Sequence, residues 1–335
     1  MSEPALSLPE WLQGRVLVVD GATGTELERR GVPTPRPLWS AAALATQPDV
    51  VEAIHRDYAA AGADIVVANT FRTNVRTLRA AGLLERGEEL NRTAIELARR
   101  AAQAADHRLD AASKADRKTG ACESAERRRI AGAAPEVGAT ARKVWVAASV
   151  APVEDCYSPE LVPDKSVLDE EHGQMLEWLQ AAKPDLIWIE TMNTVREARA
   201  AAHAAAEAAL PFVVSFVVRE NGDLLSGERL EDAVAAVEQL GPLALGLNCI
   251  PPNGMTAILP RLRKATKRPL VAYAHINNAE PIFGWSYSQS ATPGEYAEHV
   301  RRWLDLGVSI VGGCCGTTPA HIRAVIKVVG PRCAS

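Results

Sequence analysis

Short apolar runs alternate with longer stretches of helical periodicity along almost the whole chain. Eight runs are rich in Val, Ile and Leu at successive positions, as in strands of a parallel sheet covered on both faces. They predict strands at Arg15–Asp20, Asp64–Asn69, Lys143–Val150, Asp185–Glu190, Phe212–Val218, Ala244–Asn248, Leu270–Ala274 and Val308–Gly312. The helical stretches repeat apolar residues every three or four positions. They predict helices at Pro48–Ala61, Glu88–Ala105, Leu168–Ala181, Val195–Ala208, Leu230–Leu240, Met255–Ala265, Gly294–Leu306 and Pro319–Val328.

Eight strand–helix units in strict alternation are what a (β/α)8 barrel of the TIM type requires, at a typical length of about 250 residues. The competing layout is a doubly wound open sheet, which usually has fewer units and a G-x-G-x-x-G motif after its first strand. The segment Gly21–Glu26, which follows the first predicted strand, does not match that motif. We therefore predict a single-domain (β/α)8 barrel over residues 15–330, with an N-terminal extension at 1–14 and a tail at 331–335.

One interval departs from this alternation. Asp106–Arg142 is rich in alanine and charged residues, and its only larger aliphatic side chains are Leu109, Ile130 and Val137. A segment with so little apolar surface cannot bury much of itself. We therefore expect a flexible, solvated insertion at 106–142, between the second helix and the third strand.

The amino-acid composition excludes several classes of protein. The 335 residues include 37 Lys and Arg against 41 Asp and Glu, a formal net charge of −4, which excludes a strongly basic nucleic-acid binder. No apolar run approaches the roughly 18 residues that cross a bilayer, and the opening segment lacks the basic and apolar parts of a secretory signal. Six cysteines are too few for a disulfide scaffold. We expect a cytoplasmic globular protein without nucleic-acid or membrane partners.

Several predicted strands end in polar or small residues. In a (β/α)8 barrel, the carboxyl ends of the strands form the face that carries the active site. The segments at these ends are Asp20–Gly24, Asn69–Asn74, Ser149, Glu190–Thr191, Asn248–Cys249 and Gly312–Thr318. Any one of them could be a helix cap or a turn. Together they predict a functional site at this end of the barrel.

Three cysteines carry the most specific signal. Cys249 follows the sixth strand, and Cys314 and Cys315 follow the eighth, so a closed barrel would bring them near each other. One interpretation is three buried small apolar side chains. The other is a metal site, because three thiolates on Zn²⁺ leave a fourth tetrahedral position for a substrate. The flanking glycines would let the backbone turn both sulfur atoms of the pair inward. Spacing alone leaves both interpretations open.

Taken together, these motifs resemble the homocysteine S-methyltransferase family. The matching elements occur in family order over nearly the whole chain: Asp20–Leu27, Leu38–Ser40, Ala68–Phe71, Glu190–Thr191, Gly246–Cys249 and Gly312–Pro319. By position, the resemblance implies that Cys249, Cys314 and Cys315 are zinc ligands. It also implies that Asp20 and Glu190 lie near the amino group of homocysteine.

The implied reaction is methyl transfer to the thiol of homocysteine, giving methionine. An unperturbed thiol of pKa about 8.5 is mostly protonated at neutral pH, and coordination to Zn²⁺ removes its proton. We therefore expect no catalytic residue beyond the zinc-activated substrate thiol. Asn69, Ser149 and Trp39 are further candidates for substrate binding, with backbone amides at Ser149–Val150 or Gly21–Thr23 for the carboxylate. Glu190 could instead form an ion pair with an arginine such as Arg196.

The methyl donor must be activated, and family members use a sulfonium, a quaternary ammonium or a methylated corrinoid. A cationic donor favours aromatic faces, for which the candidates are Trp39, Phe71, Tyr273, Phe283, Trp285 and Tyr287. Because the sequence ends soon after the eighth unit, we expect no pterin- or corrinoid-binding module and a small free donor. Leu38–Ser40 resembles the branch that uses S-methylmethionine or S-adenosylmethionine. Betaine or another methylated onium compound is the second choice.

Two other functions remain open. The chain could be a corrinoid-linked methyltransferase component that works with a separate protein. A zinc-storing or redox-sensing barrel would also keep the three thiols, but it would need neither Asp20 nor Glu190. We expect none of the other cysteines, Cys122, Cys156 and Cys333, to bind zinc.

Overall fold

The computed structural model describes residues 15–118, 143–276 and 291–330, together with Glu10 and Leu12. Its strands are β1 Leu17–Val18, β2 Ile65–Ala68, β3 Trp145–Val150, β4 Leu186–Met192, β5 Phe212–Phe216, β6 Ala244–Asn248, β7 Leu270–Ala274 and β8 Val308–Gly313. Its helices are α1 Gly24–Arg29, α2 Ala42–Thr46, α3 Pro48–Ala61, α4 Val75–Ala80, α5 Gly87–Lys118, α6 Lys165–Ala182, α7 Val195–Glu207, α8 Leu230–Glu238, α9 Pro252–Ala265, α10 Pro293–Asp305 and α11 Pro319–Val329. Within these ranges no helix combines the length and the apolar composition of a membrane span.

The eight strands form one parallel sheet that curls into a barrel. Each strand from β2 to β8 pairs with the next in chain order, and β1 pairs with β8. A bridge between Val19 and Ile65 joins β1 to β2, and the amide of Asp20 donates to the carbonyl of Ile65 at 3.0 Å. The prediction of a single-domain (β/α)8 barrel is therefore confirmed, and all strands point their carboxyl ends to the same face.

The barrel interior is filled, so ligands can enter only at its mouth. Alternate strand positions point inward and pack together, as in other barrels of this type. These residues are Leu17, Val19, Ile65, Trp145, Ala147, Leu186, Trp188, Val213, Ala244, Val271, Tyr273 and Ile310. A second, larger apolar cluster lies between the strands and the helices around them.

Two buried tyrosines form hydrogen bonds to the backbone at the carboxyl ends of β1 and β8. The hydroxyl of Tyr58 on α3 lies 3.0 Å from the carbonyl oxygens of both Ala22 and Thr317. On α10, the hydroxyl of Tyr296 donates to the carbonyl of Gly312 at 2.7 Å. Both rings are fully buried, so the outer helices fix the position of the rim.

Helix α5 is longer than predicted. It continues to Lys118, past the predicted end at Ala105, so residues 106–118 of the expected flexible insertion are helical. This stretch is rich in Ala, Arg and Lys, which favour a helix even where little apolar surface is buried. The rest of the insertion, 119–142, lies outside the described residues, as does the tail at 331–335 and most of the extension at 1–14.

Buried His55 on α3 should make the stability of the fold depend on pH. Neither ring nitrogen has a hydrogen-bond partner among the described residues, and burial lowers its pKa from 6.5 to about 4. The unfolded chain therefore binds a proton between these two values that the folded chain does not. The contribution of His55 to stability is constant above pH 6.5 and falls as the pH drops toward 4, by about 2 kcal/mol between pH 7 and pH 5.

Urea unfolding at pH 7 and pH 5 measures this effect. In the His55→Leu variant, the loss of stability between the two pH values should be smaller by about 2 kcal/mol than in the parent protein. His203→Leu is the matched control, because that ring lies on the exposed face of α7. An equal pH dependence in the parent and in His55→Leu would contradict the assignment.

Candidate metal and substrate site

A cavity of about 350 Å³ opens at the carboxyl ends of the strands. All eight residues that the sequence placed in the site line this cavity: Asp20, Trp39, Asn69, Ser149, Glu190, Cys249, Cys314 and Cys315. They come from six different strand–helix units. The barrel thus gathers side chains that are as far as 295 residues apart in sequence, as illustrated by the hydrogen bond from Ala22 to Thr317.

The three cysteines form one sulfur cluster. Their Sγ atoms all lie within 4.8 Å of one another. The Sγ of Cys249 lies 2.8 Å from that of Cys314 and 3.9 Å from that of Cys315. In the described part of the chain, this is the one group of three or more Cys, His, Asp or Glu side chains arranged to hold a metal ion.

Backbone geometry at the ends of β6 and β8 turns these sulfur atoms inward. Cys249 has a positive φ of 54°, which is rare for a residue with a side chain and typical of functional sites. Gly312 permits the close approach of β8 to β1, since a Cβ there would lie 2.3 Å from Cγ1 of Val19. At Gly313, a Cβ would lie 2.2 Å from Oγ1 of Thr317. These glycines serve close packing, and the turn itself lies at Cys249 and at Gly316, where φ is 84°.

The cluster favours a cation. Hydrogen bonds from Cys314 and Cys315 lower the pKa of the Cys249 thiol well below its usual value. The same contacts with Cys249 raise the pKa values of Cys314 and Cys315. Without a positive charge, one thiolate therefore opposes ionisation of its neighbours, because like charges at this distance repel. A divalent cation would stabilise all three as thiolates.

The donor atoms fit zinc. Two thiolates bound to Zn²⁺ at about 2.3 Å with tetrahedral angles lie about 3.8 Å apart. The 3.9 Å between Cys249 and Cys315 matches this value, and the 2.8 Å between Cys249 and Cys314 requires the Cys314 sulfur to move outward by about 1 Å. Three soft sulfur ligands are typical of zinc, and a set of three protein ligands leaves one position open.

Two carboxylates, the buried Asp20 and the partly buried Glu190, face the same cavity without a cationic partner among the described residues. Glu190 accepts hydrogen bonds from the hydroxyls of Ser149, at 2.5 Å, and Tyr273, at 3.1 Å. Asp20 accepts from the backbone amide of Val67 at 3.0 Å. Among the described residues, neither carboxylate forms a salt bridge with Lys, Arg or His. Burial of charge without a counterion is costly, so the pair is suited to a positively charged ligand.

The pKa values of both carboxyl groups reflect this environment. Burial raises the pKa of Glu190 from 4.5 to about 7, although its hydrogen bond with Ser149 acts in the opposite direction. Burial, together with the nearby charge of Glu190, raises the pKa of Asp20 well above its usual value. The alternative ion pair between Glu190 and Arg196 is not formed, because Arg196 donates to the carbonyl of Val162 at 2.7 Å.

The other predicted residues occupy defined positions at the rim. The amide of Asn69 donates to the carbonyl of Ser40 at 2.8 Å and so supports the turn that carries Trp39. Trp39 lies 5.9 Å from Phe71 in an edge-to-face arrangement, and Arg72 lies over the Phe71 ring at 5.3 Å. The ring of Phe71 is thus already in contact with a cation, which leaves Trp39 as the more available aromatic surface.

The remaining predicted candidates have other roles or lie outside the described residues. Tyr273 packs in the barrel interior and also lines the cavity; its hydroxyl accepts a hydrogen bond from Trp188 and donates one to Glu190, so it orients the carboxylate. Cys156 lines the cavity but lies outside the sulfur cluster. Phe283, Trp285, Tyr287, Cys122 and Cys333 lie outside the described residues.

One residue of the site was not found from the sequence. Tyr157, in the loop between β3 and α6, lines the same cavity as the cysteines. The signal in the sequence was its position next to Cys156, in a polar segment that follows a strand. That signal is weak, because Tyr157 is far from the three cysteines in sequence.

Comparison with known proteins agrees with this architecture. The model of the family described as homocysteine S-methyltransferase matches residues 17–329. The chain is 30% identical to homocysteine S-methyltransferase 2 from Arabidopsis thaliana, covering 94% of this chain and 93% of that protein. It is 28% identical to selenocysteine methyltransferase from Astragalus bisulcatus, covering 98% and 97%.

A solved structure extends the likeness to three dimensions. The metallated form of the homocysteine methyltransferase MmuM from Escherichia coli superimposes with a TM-score of 0.73 at 28% identity, covering 94% of this chain and 97% of that one. The family match spans nearly all of the barrel, including every strand that contributes to the cavity. The chain therefore belongs to the homocysteine S-methyltransferase family.

Proposed function

We propose that this protein catalyses the zinc-dependent transfer of a methyl group from a small onium donor to the thiol of homocysteine, giving methionine. The observation that carries the proposal is the placement, on one cavity, of three cysteine sulfur atoms and two carboxylates that form no salt bridge among the described residues. S-methylmethionine or S-adenosylmethionine is the proposed donor, and the cytoplasm is the proposed compartment. Cys249, Cys314 and Cys315 would hold Zn²⁺, which when bound keeps a substrate thiol in its nucleophilic thiolate form.

Asp20 and Glu190 would receive the ammonium group of homocysteine. Each carboxylate lacks a cation among the described residues, and the hydroxyls of Ser149 and Tyr273 fix the orientation of Glu190. An ammonium group bound there would offset the cost of keeping two negative charges in a buried place. A ligand anchored at this end extends its thiol toward the sulfur cluster, because both groups line the same cavity.

Once the thiol is in its thiolate form, the reaction requires correct placement of the two substrates. The substrate sulfur attacks the methyl carbon, a new S–CH₃ bond forms, and the bond between this carbon and the donor heteroatom breaks. The electron pair of the broken bond stays on the donor, which loses its positive charge. Holding both partners in line converts a bimolecular step into an effectively unimolecular one.

The face of Trp39 would contact the positive donor. Its ring packs directly on the backbone of Gly24, where a Cβ would lie 2.2 Å from the ring. Its indole N–H donates to Glu28 at 3.3 Å, and Asn69 supports the turn beneath it. A fixed indole face is well suited to an onium methyl group, since Trp is the best aromatic partner for a cation.

A donor panel tests the proposed function. Zinc-loaded protein is incubated with deuterium-labelled homocysteine and S-methylmethionine, S-adenosylmethionine or betaine, and labelled methionine is measured by mass spectrometry. The label distinguishes methylated acceptor from the methionine that S-methylmethionine leaves behind. We expect labelled methionine with one or both sulfonium donors.

Other results of the donor panel would support a different donor or a different function. Product from betaine alone would show the donor assignment to be wrong. Product only after addition of a methylated corrinoid protein would support the corrinoid-linked component. A parallel arm with selenocysteine as acceptor compares the activity named for the Astragalus relative. No methylated acceptor in any arm would contradict the methyltransferase proposal.

A further inference from the structure

Three arginines line the cavity in addition to the groups that the proposed chemistry uses. They are Arg36, Arg72 and Arg76. Arg76 is fully engaged, because its Nε and Nη2 donate to Glu171 at 3.1 and 3.0 Å and its Nη1 donates to Glu154 at 3.0 Å. Among the described residues, Arg36 and Arg72 form no salt bridge. The cavity therefore offers two positive charges that no carboxylate of the described chain neutralises.

Arg72 is the better placed of the two to bind a ligand. It follows β2 and is partly buried, whereas Arg36 is exposed to solvent, which weakens its interaction with a charge. The Nη1 of Arg72 donates to the backbone carbonyl of Glu154 at 2.8 Å, and its guanidinium lies over the Phe71 ring at 5.3 Å. A side chain that is already held at two points loses little further freedom when a ligand binds.

One edge of the Arg72 guanidinium is open. Among the described residues, Nη1 is its one nitrogen with a hydrogen-bond partner, so the N–H groups of Nε and Nη2 are available. These two nitrogens donate in parallel and match the two oxygens of a carboxylate. The ligand group that fits Arg72 is therefore a carboxylate.

The position of Arg72 indicates which substrate brings this carboxylate. Phe71 contacts the Arg72 guanidinium on one side and lies 5.9 Å from Trp39, the proposed contact of the positive donor. One ring thus separates the indole from the guanidinium. In both S-methylmethionine and S-adenosylmethionine, a chain of three carbon atoms joins the sulfonium sulfur to a carboxylate. A donor with its sulfonium on Trp39 would direct its carboxylate along the same wall of the cavity.

The carboxylate of homocysteine fits Arg72 less well. It is attached to the same carbon as the ammonium group, for which Asp20 and Glu190 are the proposed partners. Neither of these two carboxylates forms a salt bridge with Arg72, although all three residues line the cavity. The arginine is therefore separate from the charges that would receive the acceptor.

We propose that Arg72 binds the carboxylate of the methyl donor, so that the protein selects onium compounds that carry a carboxylate. The inference rests on the proposed function, because it needs a donor whose positive charge lies on Trp39. Two anchors, one at each end of the donor, would fix the direction of its methyl group. Arg72 exchanges no proton in the reaction and acts on binding and orientation alone.

Arg72→Gln tests this role with a donor and an analogue that lacks only the carboxylate. The analogue is 3-aminopropyl-dimethylsulfonium for S-methylmethionine and the decarboxylated form for S-adenosylmethionine. In the variant, KM for the donor should rise about tenfold or more, because a hydrogen-bonded charge pair is lost. The inhibition constant of the analogue, measured in competition with the donor, should keep its parental value, since the analogue has no carboxylate to bind.

Two further variants control for charge and for structure. Arg36→Gln also removes an arginine of the cavity that has no salt bridge among the described residues, and KM for the donor should stay near its parental value. Arg72→Lys keeps the positive charge but loses the two parallel N–H groups. Its KM for the donor should lie between those of the parent protein and Arg72→Gln.

A parallel measurement separates the donor from the acceptor. Homocysteine is compared with 3-aminopropane-1-thiol, which keeps the thiol and the ammonium group but lacks the carboxylate. Arg72→Gln should leave KM for both acceptors unchanged. A rise for homocysteine alone, with an unchanged KM for the donor, would show that Arg72 binds the acceptor and would overturn the proposal.

The remaining outcomes separate this inference from the proposed function. An unchanged KM for the donor in Arg72→Gln, while the parent protein still methylates homocysteine, would overturn the role of Arg72 alone. Equal rises for the donor and its analogue would also overturn it, since they would indicate a structural effect. An equal rise in Arg36→Gln would indicate a general positive potential instead of a bound carboxylate. Failure of the parent protein to methylate any acceptor would instead overturn the proposed function.

Discussion

Replacing Cys314 with alanine is expected to remove both the bound zinc and the methyl transfer. Two thiolates remain in the variant, and a site with two protein ligands is one short of the three that catalytic zinc sites keep. Without the metal, most homocysteine is protonated at pH 7, and its sulfur loses its fixed position. We expect kcat/KM to fall by at least about 10³-fold. Metal analysis after dialysis and the labelled-methionine assay measure the two effects on the same preparation.

Cys156→Ser is the matched control for this variant. Cys156 is buried and lines the same cavity, but it lies outside the sulfur cluster. We expect one zinc per chain and near-parental activity in this control. Full zinc content in Cys314→Ala, or loss of zinc in Cys156→Ser, would show that the ligands have been assigned wrongly.

The second large effect is expected from Glu190→Gln. Glutamine keeps the shape of the side chain and can still accept a hydrogen bond from Ser149 or Tyr273, but it removes the negative charge. Breaking one buried charge pair costs about 2–5 kcal/mol, so kcat/KM for homocysteine should fall about 30-fold or more. Zinc content should stay unchanged, because Glu190 is not part of the sulfur cluster.

A modified acceptor isolates the cause of that loss. 4-Mercaptobutanoate has the thiol and the carboxylate of homocysteine but lacks the ammonium group. The parent protein and Glu190→Gln should methylate it with similar, low efficiency, since no ammonium is present for Glu190 to bind. An equal fractional loss with both acceptors would mean that Glu190 acts on something other than the ammonium group. Unchanged activity with homocysteine would remove Glu190 from the substrate site.

Most of the fold could be predicted because the barrel uses local patterns. Strands β6 and β7 begin and end where the apolar runs do, and helix α3 coincides with its predicted range. Errors arise where burial and backbone preference disagree. Helix α5 extends through 106–118 because alanine and long charged side chains favour helix on their own, whereas the prediction relied on the lack of apolar residues.

The site, like the fold, has parts that the sequence predicts and parts that it does not. Cys249, Cys314 and Cys315 could be placed from the sequence because strand ends meet at one face of a barrel and because their motifs resemble a family. The positive φ at Cys249 could not be predicted from the sequence, since nothing in a sequence requires an ordinary residue to adopt that conformation.

Side-chain contacts between residues far apart in the chain could also not be predicted from the sequence. The hydrogen bond of Tyr273 with Glu190 joins residues that are 83 positions apart. Such pairs follow from side-chain direction and loop path, which periodicity does not encode.

X-ray absorption spectroscopy of the zinc-loaded protein tests the central claim most directly. We expect three sulfur neighbours at about 2.3 Å from the zinc without substrate and four after addition of homocysteine. The same measurement on Cys314→Ala should show no comparable sulfur shell. A zinc environment with fewer than three sulfur atoms, or one that gains no sulfur when homocysteine is bound, would contradict the proposal that three cysteines hold the metal and present it to the substrate thiol.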